Sequence, residues 1–126
     1  MLDIRIRTVA HSDQRYDTVG DWQWDRDRLT ITISGLGSTY KELLVAVHEL
    51  IEVYLCRIRG ITQEEVDKFD IEYENNRRLD DTTSEPGDSL DAPYRKEHRF
   101  AENIERQICH EMGINWDEYE ATVYNL

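Results

Sequence analysis

Residues 40–59 constrain this chain more than any other stretch, because apolar side chains nearly encircle that helix-length segment while it also carries His48, Glu49 and Glu52. Ser38 or Thr39 supplies an N-cap and Gly60 a stop, so the segment reads as one helix. At about 100° per residue from Leu43, the residues Leu44, Val47, Leu50, Ile51, Tyr54, Leu55 and Ile58 share one wide face. His48 then lies near about 140°, Glu52 near about 180° and Glu49 near about 240°. Val45 and Cys56 fall inside this polar arc, where a surface helix would be polar throughout. A helix that is apolar nearly all round is buried. The expectation is therefore an interior helix that takes an imidazole and two carboxylates with it. Uncompensated burial of two glutamates costs several kcal/mol, so a metal, a proton or a basic partner must offset it. The alternative is an exposed polar stripe interrupted by two small apolar residues.

The motif is His48-Glu49-x-x-Glu52. Residues four apart share a helix face, so His48 and Glu52 can converge on one cation. Glu49 lies about 100° further round from His48, where a carboxylate can take a proton from water polarised by that cation. A later segment, 91–112, repeats the pattern of acids within an apolar stripe. Asp91 caps it, Pro93 suits its first turn, and Gly113 ends it. Glu97, His98 and Glu105 fall on or beside its apolar face. If the two helices pack together, His98 completes a set of His48, Glu52 and His98. Two histidines, a carboxylate and an open position make a catalytic-zinc arrangement. The two imidazoles must then lie within about 4–5 Å of each other. Glu97 and Glu105 are candidates for outer acids that hold a ligand histidine, and Asp70 for an outer acid or a further ligand. The competing readings are a flank histidine at 98, a solvated Asp70, and buried acid pairs with Arg57, Arg59 or Arg99.

The chain has 126 residues, enough for one domain: a β segment over 1–37 and a helical segment over 38–126. Residues 3–9 and 29–33 alternate apolar and polar, Trp22 and Trp24 flank Gln23, and residues 25–28 form a charged turn. Thr62 to Glu65 reads as a capping box that opens a second helix to Glu74. Residues 75–91 are polar, contain Pro86-Gly87, and read as a long surface loop that includes Arg77 and Arg78. Residues 116–123 suggest one or two further helical turns. The fold expected is α+β: a small antiparallel sheet packed against about three helices.

The formal charge is −12, from 15 Lys and Arg against 27 Asp and Glu. Such a chain repels nucleic-acid phosphate and anionic membrane. It contains no apolar run long enough to span a bilayer, and its first ten residues alternate rather than forming a secretory leader. Cys56 and Cys109 read as reduced, packed thiols, so a cytoplasmic location is expected. A peptide or small-molecule substrate is the expected partner, and nothing marks an oligomeric state.

A small sheet preceding a His-Glu-x-x-Glu helix resembles the minimal zincin metallopeptidase core. In that family an edge strand lies over the metal helix and aligns a peptide; here residues 29–33 would fill that place. The family's helix carries HExxH, whereas this chain has Glu52 at the second histidine. The resemblance then implies a peptidase-like hydrolase, or a degenerate relative, that holds zinc through His48, Glu52 and His98 with Glu49 as general base. Most of the chain also resembles small uncharacterised phage and prophage proteins that pair such a helix with a Pro-Tyr-x-x-x-His helix, here Pro93, Tyr94 and His98. Glu49-x-x-Glu52 followed by Glu64-x-x-Asp67 resembles instead the MazG-type nucleotide pyrophosphohydrolases, whose four carboxylates hold magnesium or manganese. A third reading is a non-enzymatic phage-type interaction protein with a structural metal.

Overall fold

The computed structural model describes residues 1–126. Three strands, β1 (Asp3–Val9), β2 (Gly20–Asp25) and β3 (Arg28–Ser34), precede four helices, α1 (Thr39–Ile58), α2 (Gln63–Asn75), α3 (Arg95–Glu111) and α4 (Trp116–Tyr124). The fold is α+β, with one helix more than expected. No helix is long and apolar enough to cross a membrane.

The sheet is mixed, not antiparallel. Its order is β1-β3-β2, with β3 antiparallel to β2 and parallel to β1. The reason lies in the loop between β1 and β2, which crosses the end of β3 instead of closing a hairpin. His11 Nδ1 lies 2.8 Å from Ser34 Oγ, and the Gln14 amide donates to Thr32 O, Val19 O and Ser34 Oγ. Residues 29–33 are consequently the central strand, and their backbone offers no free edge. The strand edge beside α1 belongs to β2. The β2–β3 turn is the expected charged one, with Arg26 in the left-handed region at φ 59°. Leu29, Ile31 and Ile33 of β3 are fully buried beneath α1, together with Leu44, Val53 and Cys56.

α1 begins where expected, with the Ser38 hydroxyl accepting from Lys41 N. It also runs through the interior, but the wheel is turned. Leu43 and Ile58 are exposed, whereas the arc holding Val45, His48, Glu49, Glu52 and Cys56 is buried. α1 thus faces α3 with its polar arc inward. α3 starts at Arg95, four residues after the expected Asp91 cap. Asp91 N is held by Ser89 Oγ, and residues 92–94 form a turn that delivers the Tyr94 hydroxyl to Asp70. Residues 75–91 are also more ordered than a bare surface loop. Arg77 grips Glu74 at 2.8 and 2.7 Å and the Ser84 carbonyl at 2.8 Å. A short 3-10 helix, Pro86–Asp88, then lies against α3.

Candidate metal centre

His48 from α1 and His98 from α3 meet in the interior with ring centroids 4.7 Å apart and nearest nitrogens, His48 Nε2 and His98 Nδ1, 3.2 Å apart. Glu52 Oε2 lies 3.1 Å from the first nitrogen and 2.9 Å from the second. Three residues from two distant segments thus present three atoms to one point, as the spacing of residues 48 and 52 and the motif at 98 led us to expect. All three side chains are buried.

The outer nitrogens explain the orientation. His48 Nδ1 is 2.8 Å from Glu105 Oε1, and His98 Nε2 is 3.1 Å from Glu85 Oε2. A carboxylate only accepts, so each outer nitrogen carries the proton. In the neutral imidazoles the inner nitrogens are lone pairs, and they converge with the Glu52 carboxylate. Three acceptors facing one another need a shared positive charge. Without a metal, protons fill that need. Burial works against charge on both rings, yet the Glu105 and Glu52 bonds lift His48 well above the usual histidine range. The Glu52 and Glu85 bonds lift His98 to about 10. Burial likewise disfavours the Glu52 carboxylate, but hydrogen bonds from His48 and His98 hold it down at about 2.

The same triangle fits a metal. Ligand atoms about 2.1 Å from a tetrahedral zinc stand about 3.4 Å apart, so the three edges here need to open by only about 0.2–0.5 Å. Two imidazole nitrogens and one carboxylate oxygen suit zinc and poorly suit magnesium, which asks for oxygen.

The remaining sequence candidates divide. Glu105 is the outer acid on His48, itself held by the Tyr119 hydroxyl. Glu97 is not at the centre: it accepts from Arg59 at 3.1 Å, so this inward-facing acid is neutralised by an arginine. Asp70 accepts from Tyr94 and, at 3.2 Å, from Tyr16. It touches neither histidine and is no ligand of the triad. Glu49 is 9% exposed and faces a cavity of about 340 Å³, with no hydrogen bond from the protein. Burial and the neighbouring charge of Glu52 push its carboxyl well above the usual range.

Sequence reasoning missed Glu85 and two glycines. A Cβ on Gly20 would lie 2.6 Å from Glu49 Oε1, and one on Gly87 would collide with the His98 ring. Both glycines exist to let backbone press against a site residue. Pro86-Gly87 was the available signal, but it marks a turn without saying what the turn covers.

Asp70 makes a pH test possible. Burial raises its carboxyl to about 7, against the bonds from Tyr94 and Tyr16. A folded-state pKa above the unfolded value of about 3.9 means the native state binds the extra proton. The contribution is therefore complete below about pH 4 and is lost as pH rises through about 7. Asp70→Asn is expected to gain about 4 kcal/mol relative to the unsubstituted protein between pH 4 and pH 8, measured by urea unfolding at each pH. A pH-independent difference would show that the carboxyl is ionised throughout.

Comparison with protein-family models, curated proteins and solved structures found no match to this chain.

Proposed function

We propose that this protein is a zinc-dependent hydrolase of zincin-like design, acting on a peptide-type or related carbonyl substrate. The observation that carries the reading is the neighbourhood of the triad: three ligand atoms on one side, and on the other an unpartnered buried carboxyl, Glu49, facing a cavity. A structural zinc is closed by a fourth protein ligand, whereas a catalytic one leaves a position open. His48, Glu52 and His98 would hold the metal. Bound there, it supplies Lewis acidity toward water and a substrate carbonyl. Glu49, which Gly20 permits to stand close to β2, takes the proton from the attacking water and returns it to the leaving group. Glu105 and Glu85 keep the two imidazoles in the ligating tautomer. The β2 edge at Gly20 and Trp22, beside the cavity, is the place for an extended substrate to lie.

The MazG-type alternative needs Glu49, Glu52, Glu64 and Asp67 around one metal. Glu64 is exposed and Asp67 is tied to Arg15 at 3.1 Å, so nothing here favours it.

The experiment is hydrolysis of a mixed peptide and ester panel by zinc-loaded protein, with Glu49→Gln as the variant. Glu49→Gln is expected to keep its zinc and lose about 10²–10⁴-fold in rate. Zinc binding with no turnover of any substrate would make the metal structural and the protein a binding module.

A further inference from the structure

Six acids are buried in this protein, and four of them have a basic or imidazole partner. Asp21 pairs with Arg15, Glu97 with Arg59, Glu52 with both site histidines and Glu105 with His48. The two without such a partner are Glu49 and Asp70, and both line the same cavity. Glu49 has its role in the hydrolytic reading. Asp70 has none. Its carboxylate oxygens receive one phenol each, Tyr94 on Oδ1 and Tyr16 on Oδ2. Each oxygen keeps a further lone pair. The two hydroxyls orient the group but carry no charge to neutralise it.

The cavity around it is predominantly acidic. Twelve aspartates and glutamates line it against a single arginine. That arginine, Arg77, is spent on Glu74, Ser84 and Asp81 in the neighbouring loop. Apart from the site histidines and the metal they would hold, no free side-chain cation is left there to receive a substrate carboxylate or phosphate. A cleft lined by one sign of charge concentrates ligands of the other. Asp70 also stands close to the triad: Tyr94, whose hydroxyl it holds, packs the edge of its ring against His98 with centroids 6.1 Å apart.

We propose that the cavity selects substrates carrying a primary ammonium group, and that Asp70 is the residue that receives it. Resting on the hydrolase reading above, this names the substrate class of that site: a peptide or amide bearing a lysine-type side chain or a free amino terminus. An arriving ammonium supplies the countercharge that Asp70 lacks, so binding and ionisation of the carboxyl support each other.

Hydroxamates, which anchor on zinc, test this without turnover. Calorimetry on the zinc-loaded chain would compare an ω-aminoalkyl hydroxamate with alkyl and ω-carboxyalkyl hydroxamates of the same length. A diglycine hydroxamate with free or acetylated amino terminus separates the second ammonium source from the first. One amino probe is expected to bind about tenfold or more tighter than its neutral counterpart, and the carboxyl probe weakest. Asp70→Asn is expected to bring the amino-to-neutral affinity ratio below about two. Equal affinities for the three charge types in the unsubstituted protein would overturn the proposal while leaving the zinc reading intact. An amino preference that survives Asp70→Asn would overturn the role of Asp70. If no hydroxamate binds, the zinc reading falls and this inference with it.

Discussion

Zinc affinity is expected to fall by about a thousandfold when His98 is replaced by alanine, and by only about ten- to a hundredfold when Glu105 is replaced by glutamine. The difference follows from position. His98 Nδ1 is one corner of the triangle with His48 Nε2 and Glu52 Oε2, and its loss leaves two of the three inward atoms. Glu105 instead grips the far nitrogen of His48. Its loss leaves the ligand present but freer to turn and to choose the wrong tautomer. Because protons are the competing guests, zinc uptake is expected to release them. Apparent affinity then rises with pH, because His48 and His98 both hold their protons well above the usual histidine range. Zinc titrations of both variants against a competing chelator check the ranking. Equal losses would place His98 outside the ligand set.

Gly87→Ala is expected to disturb both stability and the centre. The added methyl collides with the His98 ring, which has little room to yield. Glu52 holds its Nδ1, Glu85 its Nε2, and the Tyr94 ring abuts it. Overpacking of this kind costs about 1–3 kcal/mol. For a chain of this size that is a fall in melting temperature of roughly 5–15 °C. If the 3-10 helix moves instead of the ring, the Glu85 bond is lost, and zinc affinity drops about tenfold or more with it. Gly35→Ala is the control, since its methyl meets only ordinary contacts at 3.7 Å. A Gly87→Ala protein with unchanged melting and unchanged zinc affinity would mean that residues 85–88 are not seated on His98.

The sequence was informative where periodicity and chemistry spoke together. His48 and Glu52 are four apart on a helix that has nowhere polar to go, and Glu105 shares a stripe with apolar neighbours. Burial of all three was therefore legible, as was their convergence with His98. The direction of burial was not. Hydrophobicity placed the core on the Leu43 and Ile58 side, but the polar arc proved the better-covered face, since His48 and Glu52 find their partners in α3 and Glu49 lies against β2 at Gly20. On the wheel Glu97 lies inside the apolar stripe and Glu105 only on its margin, yet Glu105 is the acid at the centre. What separates them is Arg59, contributed by the end of a different helix, and no local pattern encodes that encounter. Strand order was hidden for a similar reason. Alternation identified β1 and β3, but their parallel pairing depends on how the loop carrying His11 and Gln14 crosses Ser34. Gly87 reads only as part of a Pro-Gly turn and Gly20 carries no signal, because the side chains they make room for lie 11 and 29 residues away along the chain.

The proposed function stands on His48, Glu52 and His98 sharing one metal ion. Elemental analysis of the purified protein after zinc-replete growth, combined with zinc-edge X-ray absorption, measures this directly. One equivalent of zinc per chain is expected, with two imidazole nitrogens and carboxylate oxygen as its protein ligands. Less than about a tenth of an equivalent, or a zinc with no imidazole ligand, would contradict it.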